Sequence, residues 1–143
     1  MLSIDNDVLA HVQMNTVLGY ALVFVGGGLG AAARHAVNRA AAGLGGPGYP
    51  AGTLIVNVTG SLVMGLLAGW FASRGEMTTP EVRLFLTTGI LGGFTTFSAF
   101  ALDTALLWQR HDWVATLLYA AGSVVLSVAG VVGGMLVSRQ LVS

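Results

Sequence analysis

Four features of this chain have residue types and spacing suited to holding a small ion away from bulk water. Phe97 and Phe100 stand one helical turn apart, so both rings can look at the same place. Aromatic edges carry partial positive charge, and rings presented edge-on attract a small anion. Just ahead of them lie Gly92-Gly93 and the short hydroxyls of Thr95, Thr96 and Ser98. Glycine loosens a helix and hydroxyls compete for its backbone hydrogen bonds, so a helix through this stretch is expected to break. Asn57 is the only carboxamide in its apolar run and offers N–H donors, which an anion needs. Tyr119, Ser123 and Ser127 recur every four residues and share one helical face, with hydroxyls that can rotate to donate.

Each group also has a plainer reading. Most phenylalanines in apolar helices only pack, and asparagine often bonds one membrane helix to another. Serine can bond back to its own helix, and glycine can simply let two helices cross closely. On the residues alone, Asn57 and the serines are evenly balanced between these roles, while the rings lean towards packing. Arg34 could draw anions into an aqueous vestibule or snorkel at an interface. His11, His35 and His111 are scattered and lack metal-ligand spacing. Gly26-x-Gly28-x-x-Ala31 echoes a dinucleotide fingerprint, but within an apolar run rather than at a strand–turn–helix junction. Its glycines, like Ser61, Gly65 and Gly69, better suit helix contact.

The elements that must position these residues follow from composition. The 143 residues are 55% hydrophobic and 8% charged, far below the charge content of a soluble domain. With no cysteine there is no disulfide framework or thiolate site, and with no lysine and balanced charge there is no basic face for nucleic acid. Uncharged runs at Val17–Ala33, Ala51–Ser73, Leu84–Leu102 and Trp113–Ser138 are near or above the length that crosses a bilayer. The expected architecture is an all-α integral membrane protein with spans at about 17–38, 51–73, 81–108 and 113–138. Residues 1–16 read as a flexible or interfacial tail and 139–143 as a short C-terminal tail. The third helix is expected to break at mid-membrane.

Four spans put both termini and the second loop on one side, with Arg74, Arg83 and Arg139; the other side carries Arg34, Arg39 and Arg110. That even distribution gives no positive-inside bias, so copies can insert both ways and pair as an antiparallel homodimer. No internal repeat is evident, so inverted symmetry would have to come from a second copy.

Gly92-Gly93-Phe94-Thr95-Thr96-Phe97-Ser98-Ala99-Phe100 closely resembles the signature of the Fluc (CrcB) family of small dual-topology fluoride channels. Gly26-Gly27-Gly28-Leu29-Gly30-Ala31-Ala32-Ala33-Arg34-His35 and Gly52-Thr53-Leu54-Ile55-Val56-Asn57-Val58-Thr59-Gly60-Ser61 resemble the same family in order and spacing. The resemblance spans about residues 17–138. It implies a passive fluoride-selective channel in a bacterial plasma (inner) membrane, letting fluoride leave the cytoplasm and relieving its toxicity. It makes Asn57 a pore asparagine and Phe97 and Phe100 the pore rings, with Phe94 left to packing. It implies a fluoride pathway through Thr96, Ser98, Tyr119, Ser123 and Ser127, with Arg34 at the vestibule. It also implies a structural Na+ at the dimer centre, held by the backbone carbonyls of Gly92 and Thr95. The chain departs from the family's pattern at Ala99 and Ala101, where hydroxyls are common, and at Asp103, where glutamate is usual.

Other functions fit less well. A proton-coupled exporter needs a buried carboxylate, yet the four uncharged runs contain none and Asp103 falls at a span end. A non-transporting membrane scaffold needs only small-residue seams and leaves a broken third helix without a purpose. No hydrolytic constellation of serine, histidine and aspartate supports an enzyme.

Overall fold

The computed structural model describes residues 6–73 and 78–142, and every regular element among them is helical. The helices are α1 (Asn6–Ala40), α2 (Ala51–Ser73), α3 (Pro80–Leu84), α4 (Gly92–Phe94), α5 (Phe97–Gln109) and α6 (Trp113–Val142). A π-helical segment, Phe85–Leu91, links α3 to α4. Among the described residues, four stretches are long and apolar enough to cross a membrane: Asn15–Ala40, Ala51–Ser73, Pro80–Gln109 and Trp113–Leu141. The helix of α1 begins at Asn6, so most of the expected tail is helical backbone, while residues 1–5 lie outside the described residues. Arg74 also lies outside them.

Local chemistry explains where these helices start. Thr79 accepts a hydrogen bond from Val82 N–H at 3.4 Å and Pro80 takes the first helical position, where a missing N–H costs nothing. Asp112 caps α6 by accepting from Ala115 N–H at 3.0 Å. The loop between α1 and α2 turns through Gly43, Gly45, Gly46 and Gly48, all at positive φ. Arg110 donates to Gly48 O at 3.2 Å, tying that loop to the turn before α6. At the other end of the bundle, Arg83 lies over the Phe71 ring at 5.2 Å, joining the start of the third span to the end of α2.

The bundle is assembled from two close pairs. In one, α2 packs along α6; in the other, α1 packs along the π segment and α4. Both pairs touch backbone to backbone. A Cβ on Gly65 would strike Val131 O, and one on Gly30 would strike Ile90 O. Gly26 meets the third span in the same way, but Gly28 has open space beside it and Ser61 faces a groove instead. Lipid tails give two helices no hydrophobic reason to associate, so close van der Waals contact has to hold such a seam. Gly65→Leu is therefore expected to lower stability by about 3 kcal/mol, as overpacking of a tight contact does. Denaturant titration in detergent measures this, and an unchanged midpoint would show that the seam yields freely.

The third span does break, but not at its glycines. The helix runs through Gly92 and Gly93 and opens two residues later, where Thr95 (φ −82°, ψ 159°) and Thr96 (φ −155°, ψ 119°) are extended. Gly93 is needed for approach to α1, since a Cβ there would strike Gly27 O. The opening instead falls where another helix supplies hydrogen bonds. The span bends by only 17°, so the break alters backbone hydrogen bonding more than direction.

Candidate functional site

Asn57, about a quarter of the way along α2, reaches the break and holds it open. Its Nδ2 donates to Thr96 O at 3.0 Å, and its Oδ1 accepts from Thr96 N–H at 2.8 Å. A backbone N–H can only donate and a carbonyl only accept, so this pair fixes which way the carboxamide faces. One Nδ2 hydrogen remains after the exchange. Thr96 then caps α5, its Oγ1 accepting from Ala99 N–H at 3.2 Å.

These bonds redirect the donors that two carbonyls would otherwise receive. In an unbroken helix Thr96 N–H would serve Gly92 O and Ala99 N–H would serve Thr95 O. Here they serve Asn57 Oδ1 and Thr96 Oγ1 instead. The expected cation ligands, Gly92 O and Thr95 O, thus belong to the backbone stretch whose helical bonding is interrupted. Carbonyl oxygens of this kind suit a hard cation. Among the described residues no cluster of histidine, aspartate or glutamate offers a competing metal site.

Beside the break, α2, α5 and α6 form a groove of about 380 Å³. Asn57, Thr96, Phe97, Phe100, Ser123 and Ser127 all line it, so most of the sequence-derived site residues come together. The Phe97 and Phe100 rings lie 5.4 Å apart at 47°. Phe97 is 77% exposed within the single chain, whereas Phe100 is packed against Tyr119 at 5.6 Å.

The hydroxyls of the spans differ in how they are satisfied. Thr59, Thr87, Thr95, Thr104 and Thr116 each bond back to a carbonyl four residues earlier. Ser123 does not: it is buried, and its Oγ has no hydrogen-bond partner within the chain. For this serine the reading of self-satisfaction on its own helix fails. Tyr119 is fully buried behind Phe100, outside the groove lining, and donates to Asp103 Oδ2 at 3.2 Å. Its ring meets Tyr49 edge-on at 6.0 Å, which continues the aromatic series towards the first loop. Ser98 is exposed and shares a 3.2 Å hydrogen bond with Thr96 Oγ1, but does not line the groove. Arg34, half-buried on α1, is likewise not among the lining residues.

Sequence reasoning missed the two hydrogen bonds between Asn57 and Thr96 and the Tyr119–Asp103 pair. For the second a signal existed: a tyrosine near one span end and a carboxylate near the neighbouring one must satisfy each other if they leave water. Nothing in the sequence pointed to the first, because its partner is a backbone group.

Comparison with known proteins shows what the chain is similar to. Residues 21–135 match the family described as CrcB-like protein, Camphor Resistance (CrcB). A fluoride-specific ion channel FluC 2 from Nitrobacter hamburgensis is 56% identical over 124 residues, which is 87% of this chain and 99% of the relative. A fluoride-specific ion channel FluC from Methylobacterium nodulans is 58% identical over 125 residues, covering 87% of this chain and 98% of the relative. One from Paracoccus denitrificans is 55% identical over 119 residues, covering 83% and 93% respectively.

Proposed function

The chain belongs to the CrcB-like family, and from that membership we infer that it is a fluoride channel rather than an enzyme, a multi-pass protein of the bacterial plasma membrane. The observation that carries the mechanism is the shared groove, lined by two phenylalanine rings, a carboxamide and a buried unpartnered hydroxyl. Fluoride holds its water tightly, so a selective path must replace that shell with fixed donors. In this reading the second Nδ2 hydrogen of Asn57, Ser123 Oγ and the edges of Phe97 and Phe100 do so. Thr96 and Ser127 supply further hydroxyls beside them. Tyr119 and Ser98 act from the margins, Tyr119 by fixing Phe100 and Ser98 through Thr96. Arg34 raises the anion concentration at the entrance. Flow is passive and outward, because HF that enters the cytoplasm dissociates there.

Two such chains pair in opposite orientations and close each other's groove. Support for this comes from the even arginine distribution and from Phe97, a large ring left exposed beside a groove walled by one chain alone. Gly92 O and Thr95 O of each copy would hold a structural sodium ion. The redirected donors at both carbonyls support that assignment. The ion stabilises the pair and does not flow with fluoride.

Fluoride efflux from proteoliposomes containing only this protein, read with a fluoride electrode, tests the reading. Fast flux that excludes chloride and needs no proton gradient is expected. Flux that appears only with a pH gradient would return the coupled exporter, and none at all the scaffold. Within this reading, Ser123→Ala moves two quantities in opposite directions. Flux is expected to fall roughly tenfold with loss of one donor. Thermal stability is expected to stay level or rise slightly, because a buried hydroxyl without a partner costs free energy. A parallel fall in both would mean that Ser123 is structural.

A further inference from the structure

We propose that Asn57 is a positioning residue for the cation site: its carboxamide, by holding Thr96 N–H, keeps the Gly92 carbonyl open to a cation. The proposal rests on the reading of Gly92 O and Thr95 O as sodium ligands and adds a linkage between that site and the groove. Three observations carry it. Thr96 N–H has two candidate acceptors, Gly92 O in a regular helix and Asn57 Oδ1 in the broken one, and it takes the second at 2.8 Å. Asn57 returns a bond from Nδ2 to Thr96 O at 3.0 Å, so a single side chain satisfies both backbone groups of one extended residue. Inside a membrane a freed backbone group needs such a partner, and without it the chain recovers its bonds by closing into helix.

Removing the carboxamide therefore does more than delete one donor from the groove. With Asn57 gone, Thr96 N–H is free to fold back on Gly92 O, and one of the two cation ligands is consumed. Thr95 O keeps its freedom, because Ala99 N–H is held separately by Thr96 Oγ1. The cation site is weakened by half its local ligands rather than abolished. Fluoride passage and cation affinity then share a residue, although Asn57 does not touch the cation. Asparagine is nearly unique in this role. Aspartate could accept from Thr96 N–H but would set a charge against Thr96 O, and serine is too short to span both atoms.

The test reads sodium affinity apart from flux. Purified protein is melted across a sodium chloride titration, with N-methyl-D-glucamine chloride holding ionic strength constant. A ligand that binds only the folded state raises the melting temperature with a concentration dependence set by its affinity. For Asn57→Ala the sodium concentration giving half the effect is expected to rise roughly tenfold, as expected for loss of one charged-ligand contact. Leu107→Ala, which removes a buried side chain at the far end of α5, is the comparison for plain destabilisation. It lowers the melting temperature and leaves the sodium midpoint where it was. An Asn57→Ala midpoint equal to that of the unaltered protein overturns the linkage. No sodium response in the unaltered protein overturns the cation reading and the linkage with it, while leaving fluoride flux untouched. Should Asn57→Ala fail to fold, residue-resolved amide exchange on the unaltered protein decides. Thr96 N–H is expected to be protected like Thr95 N–H, which donates to Leu91 O at 3.0 Å, and free exchange at Thr96 overturns the proposal.

Discussion

Phe97→Ile and Phe100→Ile are each expected to cut fluoride efflux at least tenfold, with chloride still excluded. Isoleucine is large and apolar, so it keeps much of the ring's packing while removing the positive edge. A dehydrated fluoride beside it loses a favourable interaction, and each 1.4 kcal/mol added to a barrier slows passage about tenfold. The two positions differ in what else they carry. Phe97 is 77% exposed and its ring contact is Phe100, so the chain's own fold has little stake in it. Phe100 lies between Phe97 and Tyr119, at 5.4 and 5.6 Å from their ring centres. Phe97→Ile should therefore lose flux with a smaller fall in melting temperature than Phe100→Ile, which should lose flux and also loosen Tyr119. Single-channel or liposome flux beside a melting curve makes the distinction. Unchanged flux in both variants would return the rings to packing.

The second large effect concerns orientation. Adding a pair of lysines to the loop between α2 and α3 should force that loop to the cytoplasmic side; adding the pair beside Arg39 should force the opposite orientation. Each biased variant expressed alone is expected to show background fluoride efflux, and the two expressed together to recover it. The reason is that the chain offers three arginines to each side, so nothing in it prefers one insertion. The side assignments agree with two contacts. Arg110 binds Gly48 O, joining the first and third loops, and Arg83 covers Phe71, joining the second loop's flanks. Cysteine labelling from each side of the membrane reports orientation, and the chain has no native cysteine to interfere. Full activity from one uniformly oriented variant would falsify the antiparallel pair.

Much of this protein could be read from residue type and period. Apolar runs of bilayer length with polar punctuation determine four membrane helices, because no other open structure satisfies the backbone in lipid. The one-turn spacing of Phe97 and Phe100 and the four-residue recurrence of Ser123 and Ser127 determine which side chains share a face. Those are properties of a single helix and need no knowledge of its neighbours. What remained open was every question whose answer lies on another helix. The partner of Asn57 is one such answer: Thr96, 39 positions away, accepts from and donates to its carboxamide. The glycines and hydroxyls together marked the stretch from Gly92 to Ser98 as weak, but local propensity does not show where within it a partner can take over the hydrogen bonds. Gly93 was already committed to the approach of α1, and the opening moved to the residue Asn57 could reach. Likewise the periodic track of Tyr119, Ser123 and Ser127 divided. Asp103 on α5 claims the tyrosine's hydroxyl, while Ser123 is left buried without a partner. Periodicity decides which groups face inward, and only tertiary packing decides which of them are already satisfied there and which stay free for an ion.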